Sequence, residues 1–156
     1  MERTLIILKP DAVQRGLVGS IISRFETKGF QIVAMKLARI SPTTAAEHYA
    51  MHQNRPFYKS LVKFMTSGPV VQLVLQGNNA IEVSRKLMGA TFDFKAEPGT
   101  IRGDFGLSSS FNLIHGSDSP EAATAEIKRF FTNEELHDYP MAQAAWVYEM
   151  DSGKPQ

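Results

Sequence analysis

His115 has the sequence surroundings that best suit covalent chemistry. It lies within Asn112–Ser119, after a short apolar run that predicts a buried strand and hence a fixed backbone. Gly116 leaves room beside the ring, and the Ser-Asp-Ser run leads into a helix start, where free backbone N–H groups favour anions. Imidazole is largely uncharged near neutral pH, so it can attack phosphorus when one ring nitrogen is free and the other is hydrogen-bonded. The segment therefore indicates a nucleophilic histidine.

Three cations are candidates for holding phosphate oxygens, namely Lys9, Arg85 and Arg102. Each alone is typical of a solvated surface charge. Arg102 differs because Pro98–Asp104 places glycines on both sides of it, so backbone and guanidinium can approach a ligand closely. Its planar guanidinium also matches phosphate oxygens. The chain lacks the Gly-x-x-x-x-Gly-Lys-Ser/Thr loop of P-loop proteins, so side chains would have to hold the phosphates.

The remaining histidines are expected to be surface groups or satisfied core groups: His48, His52 and His137. His48 and His52 are four residues apart, a helical spacing that can bind a transition metal. No Glu-x-x-His core or third ligand accompanies them, so the spacing favours an ordinary exposed helix face.

Three more side chains have both a functional and a structural interpretation. Glu126 could orient His115 from a neighbouring helix, but its spacing from Arg129 favours a surface ion pair. Tyr49 and Phe57 lie on either side of an Arg-Pro pair, and an aromatic ring beside a cleft can stack on any base. Periodicity alone favours core or helix contacts for both rings.

The elements that must position these groups alternate between strands and helices. The predicted strands are Thr4–Leu8, which reads as buried on both faces, Phe30–Ile40, Val70–Leu75 and Phe111–His115. The predicted helices run from Val18 to the stop at Gly29, from the cap at Ser41 to about Met51, over Phe57–Met65 and Ala80–Met88, and onward from the cap at Ser119. Ser-Pro pairs cap two of them. Residues 89–110 have weak periodicity, which is typical of a functional loop. The order predicts an α+β ferredoxin-like sandwich: a four-stranded antiparallel sheet covered by helices.

Composition limits the classes of function. The 156 residues fit a single domain, 1–156, with a loose tail over 151–156, and 43% of them are hydrophobic. A net charge of +1 argues against a general nucleic-acid binder. The absence of cysteine excludes disulfides and thiolate sites and suits the cytoplasm, where we expect the protein to act. We expect no signal peptide and no membrane span, which would need about 20 apolar residues.

Six segments, in order, carry a resemblance to one family: Lys9–Gly19, Arg24–Phe30, Arg55–Tyr58, Met65–Pro69, Pro98–Asp104 and Asn112–Ser119. The last one resembles the active-site signature of nucleoside diphosphate kinases, Asn-x-x-His-Gly-Ser-Asp-Ser. The similarity extends from about Thr4 to Glu149, and six collinear motifs are far more specific than one short pattern.

The resemblance implies a ping-pong reaction. His115 would take the γ-phosphoryl of a nucleoside triphosphate, typically ATP, on its δ nitrogen and pass it to a nucleoside diphosphate. The residues implied to hold the phosphates are Lys9, Arg85, Thr91 and Arg102. Lys9 and Asn112 would also contact the sugar hydroxyl, and Phe57 and Leu61 would sandwich the base.

The resemblance also implies supporting residues and a metal. Tyr49 would support Lys9 and the histidine, while Ser117 and Glu126 would fix the ring. Mg²⁺ would bridge the phosphates, held by them and by water more than by the protein, with Asp118 the nearest acid.

The chain departs from the family pattern at several positions. Ala12 replaces a usual glycine, which is harmless if φ stays negative, and Phe92-Asp93 replaces Asn-Pro in a loop that commonly contributes to subunit contacts. Ser109 and Phe111 are also atypical near the site. The family implies a homo-oligomer, either a hexamer or a tetramer. The alternative function is a nucleotide-binding regulatory module without turnover, which should have lost a catalytic residue.

Overall fold

A computed structural model describes residues 1–155 of the chain. The strands of its main sheet are β1 (Glu2–Leu8), β2 (Gln31–Ala38), β3 (Val70–Gly77) and β4 (Ile114–Gly116). The longer helices are α2 (Val18–Lys28), α3 (Pro42–His48), α4 (Tyr58–Met65), α5 (Ala80–Met88) and α7 (Pro120–Phe130). Shorter helices are α1 (Pro10–Gln14), α6 (Ile101–Phe105) and α8 (Ala144–Val147), and a hairpin joins β5 (Met150–Asp151) to β6 (Lys154–Pro155).

The main sheet has the strand order β2-β3-β1-β4, and all of its pairings are antiparallel. This arrangement confirms the predicted α+β sandwich with a four-stranded antiparallel sheet. Strand β1 lies between β3 and β4, and Ile7 pairs with His115. The candidate nucleophile is therefore anchored to a central strand rather than to a loop.

Apolar layers cover both faces of the sheet. On one face Ile6 and Leu8 pack with Phe25 of α2 and Met88 of α5. On the other face Leu5 and Ile7 pack with side chains of α3, α4 and α7, including Ala45, Met65 and Phe130. Because successive side chains of a strand point to opposite faces, a strand covered on both sides needs an unbroken apolar run. The doubly buried first strand predicted from the sequence is confirmed.

The helix starts predicted from cap residues are observed in the structure. Ser41 Oγ accepts a hydrogen bond from the Thr44 N–H, and Ser119 Oγ accepts one from the Ala122 N–H, both at 3.1 Å. A proline occupies the first turn after each cap, as predicted. Helix α5 has the predicted bounds.

The sequence-based expectation lacks two of the helices, and its strand bounds differ from the observed ones, most at the start of β4. Helix α1 begins at Pro10, directly after β1, and α6 lies inside the segment that was expected to be irregular. Ala12 is buried within α1, whose helical backbone has negative φ, so the alanine is accommodated there. Strand β4 begins at Ile114 rather than at Phe111.

Strands β5 and β6 pair with each other within the segment that is expected to be a loose tail. Gln156 lies outside the described residues. Trp146 does not pack back on the core, since it is 91% exposed. Tyr148 does contact the body of the protein, and its hydroxyl donates a hydrogen bond to the Gly29 carbonyl at 2.9 Å. No helix in the described part of the chain is long and apolar enough to cross a membrane.

Candidate active site

The backbone that precedes His115 is held in an unusual conformation. Leu113 is fully buried and has a φ of 71°, a left-handed conformation that L residues with side chains rarely adopt. Its carbonyl accepts a hydrogen bond from the Lys9 N–H at 2.8 Å. Its own N–H donates to Asp11 Oδ2 at 3.1 Å. These contacts from the end of β1 and from α1 stabilise the turn and fix the direction in which β4 starts.

The imidazole of His115 is half-buried and oriented by a carboxylate. Its Nε2 lies 3.1 Å from Glu126 Oε2, and Ser117 Oγ donates to the same oxygen at 2.6 Å. Ser117 Oγ in turn accepts from the Leu5 N–H at 3.2 Å, which ties the group to β1. Glu126 is thus bonded to the histidine and the serine, and the ion pair with Arg129 favoured by its spacing is wrong.

The carboxylate of Glu126 is ionised in this setting. Burial raises its pKa. Hydrogen bonds from His115 and Ser117, and the charges of His115 and His48, lower it by more, so the pKa is lowered overall. With Nε2 of His115 donating to this carboxylate, the lone pair of Nδ1 is free. No residue of the described chain hydrogen-bonds Nδ1.

Gly116 is required by packing rather than by space beside the ring. A Cβ at this position would lie 2.6 Å from Met88 Sδ and 3.2 Å from the terminal methyl carbon of Ile6. A side chain here would force the side chains of Met88 and Ile6 to shift, so the expectation that this glycine opens the site is corrected.

Lys9 lies 8% exposed at the end of β1, and its Nζ donates to Asn112 Oδ1 at 2.6 Å. Burial, followed by the positive charge of Arg102, lowers the pKa of Lys9 to about 8. The Nδ2 of Asn112 donates to the Thr91 carbonyl at 3.0 Å. The lysine is therefore held in place by Asn112. It forms no ion pair with a carboxylate of the described residues, although the charge of Asp11 opposes part of the lowering of its pKa.

Arg102 is also buried, at 5% exposure, and extends from α6 into backbone carbonyls. Its Nε donates to Asn112 O at 3.2 Å, its Nη1 to Gly89 O at 3.1 Å and its Nη2 to Ile114 O at 2.6 Å. Two of the five guanidinium N–H groups remain for a ligand. Burial, and then the charge of Arg85, lowers the pKa of Arg102 to about 10, which still leaves it cationic at neutral pH.

Arg85, Thr91 and Asp118 are exposed and line one cavity of about 800 Å³. Arg85 Nη1 donates to the Gly116 carbonyl at 3.3 Å, so this arginine lies near the strand that carries the histidine. Neither Lys9 nor His115 lines the cavity. It therefore adjoins the cluster of cations rather than containing the reacting group.

Tyr49 and His48 form a buried aromatic layer beneath the site. The rings of His48 and His115 have centroids 4.7 Å apart in an edge-on arrangement, and those of His48 and Tyr49 are 4.5 Å apart. The Tyr49 hydroxyl has no hydrogen-bond partner among the described residues, so it bonds neither Lys9 nor His115 directly. Its support of the site would act through packing.

His48 is the residue that sequence reasoning placed wrongly. It is 8% exposed instead of lying on an exposed helix face, and burial, followed by the charge of His115, lowers its pKa to about 3. It is therefore neutral at physiological pH. The spacing of α3 gave no sign of this position, because the helix turns that face inward only through tertiary packing on α7 and the sheet.

The two aromatic positions near the mouth of the site are exposed. Phe57 is 48% exposed, with its ring 5.4 Å from that of His52, and Leu61 lies half-buried one turn further along α4. Phe111 is 52% exposed and packs on Phe64 at a ring distance of 4.8 Å. Phe57 therefore has a free face and is not a core residue, although its contact with His52 agrees with the other structural interpretation, a helix contact.

A model of the family described as "Nucleoside diphosphate kinase" matches residues 2–136, which span the main sheet and the whole candidate site. The chain belongs to the nucleoside diphosphate kinase family. The resemblance of the six segments is confirmed.

Relatives within the nucleoside diphosphate kinase family match nearly the whole chain. The enzyme of that name from a Synechococcus strain is 55% identical over 149 residues, which cover 96% of this chain and 100% of the relative. The one from Archaeoglobus fulgidus is 52% identical, with 96% and 99% covered. The structure of the Halobacterium salinarum kinase in complex with CDP is 51% identical, covers 95% of this chain and 99% of its own, and superposes with a TM-score of 0.93.

Proposed function

We propose that this nucleoside diphosphate kinase carries the phosphoryl group in transit on Nδ1 of His115. The observation that carries the proposal is the orientation of the ring: Nε2 faces Glu126 Oε2 at 3.1 Å, so the proton is held there and Nδ1 presents its lone pair. A histidine oriented by a carboxylate on one nitrogen has the other nitrogen available for attack.

In the first half-reaction Nδ1 attacks the γ-phosphorus of a nucleoside triphosphate, and the bond from that phosphorus to the β–γ bridging oxygen breaks. The nucleoside diphosphate leaves with the electron pair of that bond. The Nε2 proton stays on the ring, where the Glu126 carboxylate stabilises the positive charge that forms. A second nucleoside diphosphate reverses these steps, which gives ping-pong kinetics.

The cations Lys9, Arg102 and Arg85 would place positive charge beside the phosphate oxygens of the nucleotide. Lys9 and the two unused N–H groups of Arg102 are positioned by the protein before binding, whereas Arg85 and Thr91 are exposed and can adjust to the ligand. Phosphoryl transfer asks a protein mainly for position and electrostatic stabilisation, and this division provides both. Asn112 and Lys9 would also bind the sugar hydroxyl.

The base would stack on Phe57 and against Leu61, at the exposed end of the site. Stacking reads the face of a base and not its hydrogen-bonding edges, so it suits a kinase that serves several nucleotides.

Mg²⁺ fits as a partner of the substrate phosphates. It prefers oxygen ligands and retains several waters, and Asp118 is the exposed carboxylate beside Arg85 and Thr91. Bound there with the nucleotide, the ion would neutralise phosphate charge. We expect Asp118 to contact it mainly through water.

We also infer assembly into a homo-oligomer, a hexamer or a tetramer. Strand β2 is an edge of the main sheet, and on it Met35 and Leu37 are 57% and 64% exposed. An apolar edge strand of this kind favours pairing with another chain. The mass in solution distinguishes the two assemblies, and cytoplasmic location stays a prediction.

The decisive experiment is covalent labelling with γ-³²P-labelled nucleoside triphosphate. We expect a protein-bound label that is stable in base and labile in acid, as for a phosphohistidine, and none in His115→Ala. The variant should still bind nucleotide, because the cations remain. Transfer at the wild-type rate by His115→Ala would refute the assignment, and unlabelled wild-type protein would indicate a binding module without turnover.

A further inference from the structure

His48 and Glu126 lie beside the proposed nucleophile and form with it a cluster of three side chains that could bind a metal: His48, His115 and Glu126. One ligand atom from each lies within 4.8 Å of the other two. They come from α3, β4 and α7, so the sheet and both helices hold the group together. The mechanism above uses His115 and Glu126 but gives His48 no role.

We propose that this cluster is an inhibitory binding site for a transition-metal ion of the Zn²⁺ class. Two imidazoles and one carboxylate are a ligand set that such ions prefer, and three protein ligands leave a fourth position for water. A tetrahedral zinc ion places its ligand atoms about 3.3 Å apart. The three groups would therefore have to draw together from separations of at most 4.8 Å.

His48 is the member that points to a ligand beyond the established reaction. Its side chain is 1% exposed, and its Nε2 has no hydrogen-bond partner among the described residues. Its Nδ1 lies 4.0 Å from Glu126 Oε1, while the other carboxylate oxygen faces His115. Nδ1 faces Glu126 and is therefore the nitrogen that would bind the ion. Nε2 would keep the ring proton, for which the described residues supply no acceptor.

Occupation of this site would oppose phosphoryl transfer through the ring it binds. The ion would take the place between Nε2 of His115 and Glu126 where the mechanism holds a proton. Because a neutral imidazole carries a single N–H, the proton displaced from Nε2 would move to Nδ1, and Nδ1 would lose the lone pair that attacks phosphorus. The ion would also bind Glu126 and so remove the carboxylate that orients the ring. Mg²⁺ prefers oxygen ligands and would not compete for a site with two imidazole nitrogens.

The charge of Arg129 opposes metal binding, so a substitution of this residue should strengthen binding where the loss of a ligand weakens it. Arg129 Nη1 lies 3.4 Å from His48 Nδ1, so its cation repels an incoming ion. Removing this guanidinium should strengthen metal binding. A variant that improves affinity separates a specific site from damage to the fold.

The test is titration of the nucleotide-free protein with Zn²⁺ by calorimetry, and with Co²⁺ by its visible absorption spectrum. We expect one ion per chain and an intense tetrahedral Co²⁺ spectrum. His48→Phe keeps an aromatic ring in the cavity and should weaken Zn²⁺ binding by about 100-fold or more, since even the loss of an outer-shell partner costs ~10–100-fold. Arg129→Ala should tighten it about 3–10-fold.

His52→Ala is the matched control, because it removes the other histidine of the pair that is spaced four residues apart. It should leave Zn²⁺ affinity unchanged. If His52→Ala weakens binding and His48→Phe does not, or if the wild type binds no Zn²⁺, the proposal is overturned. His48→Asn serves in place of His48→Phe if the phenylalanine variant does not fold.

Activity supplies an independent readout. With free Zn²⁺ held by a metal buffer, formation of the phosphoenzyme should slow in the wild type, stay slow in excess Mg²⁺ and recover when a chelator is added. His48→Phe should be labelled at the same rate with and without Zn²⁺. Equal inhibition of both proteins would overturn the proposal while leaving the phosphoryl transfer itself intact.

Discussion

The two ends of the site are built in opposite ways. At the phosphate end Lys9, Arg102 and Asn112 are 8%, 5% and 4% exposed, and each is fixed by hydrogen bonds to another segment. At the base end Phe57 and Phe111 are 48% and 52% exposed. This difference matches the proposed reaction, in which phosphorus must lie in line with Nδ1 of His115 while the base needs only a surface to stack on.

The two ends also differ in what they cost in folding stability. Lys9 and Arg102 are buried and form no ion pair among the described residues. This burial is unfavourable, as their lowered pKa values indicate. The phosphate end therefore gives up stability for preorganised charge. The base end has no such cost, because an exposed aromatic ring leaves no buried polar group unpaired.

The largest effect should follow from breaking the phosphate end. Lys9→Met keeps the length of the side chain but removes its charge, and should lower kcat/KM by about 10²–10³-fold, as for loss of other preorganised donors. Steady-state exchange assays measure it, and Lys28→Met, a change at an exposed lysine of α2, is the control. A loss below about fivefold in Lys9→Met would contradict the role of the lysine.

The same lysine should make stability depend on pH. Its pKa is about 8 in the folded chain and 10.5 in an exposed lysine, so between these values the unfolded chain binds the extra proton. The free energy of unfolding should therefore rise with pH over this range, by about 3 kcal/mol at most, and the burial cost is fully present below pH 8. Urea unfolding at pH 7.5 and 10.5, at fixed protein concentration, measures this rise.

Lys9→Met is the reference for that measurement, since it shares every other titrating group. The rise between the two pH values should be smaller in the variant. Identical pH profiles would mean that the lysine is not held in a desolvated position.

A smaller effect is expected from the residue that orients the ring. Glu126→Gln keeps its size but loses the charge that stabilises the ring during transfer, and should slow phosphoenzyme formation by about 10–100-fold, as for other groups that orient a reacting ligand. Nucleotide affinity should be unchanged, because Glu126 contacts no cation of the phosphate end. Rapid-quench labelling separates the two quantities, and an effect on affinity alone would count against an orienting role.

The smallest effect should come from the base end. Phe57→Ala removes one stacking surface, which is half exposed, and should raise KM by about fivefold, near the lower limit of stacking energies. The increase should be similar for purine and pyrimidine nucleotides, with kcat nearly unchanged. Phe94→Ala, at a 76% exposed ring outside the site, is the control. A base-dependent change would show that edges are also recognised.

Much of the fold can be predicted from local patterns, because strand burial and helix caps depend on residues that are close together in the sequence. The apolar run Leu5–Leu8 and the cap at Ser119 are examples. The start of β4 is different, since Leu113 adopts its left-handed φ only because Lys9 and Asp11 bind its backbone. Contacts from residues about a hundred positions away leave no signal in a local window.

Some residues of the site could likewise be predicted from the sequence, and others could not. The motif around His115 predicted the proposed nucleophile. The family resemblance predicted the contact between Glu126 and His115, whereas spacing alone assigned Glu126 to Arg129. His48 was missed because its burial depends on how α3 packs on α7. Arg102 was expected to bind phosphate, but its hold on three carbonyls became visible only in the folded chain.

Those three carbonyls belong to the end of α5 and to the chain entering β4, so Arg102 ties the segment that leaves one helix to the strand that carries the histidine. Neither segment can fray without releasing the guanidinium from its acceptors. We therefore expect the protein to lose phosphate binding when the edge of the sheet opens cooperatively. Amide hydrogen exchange should be slow in both segments and should become fast in both together. Inactivation by heat or denaturant would then be a single event, with no stable folded form that lacks a working site.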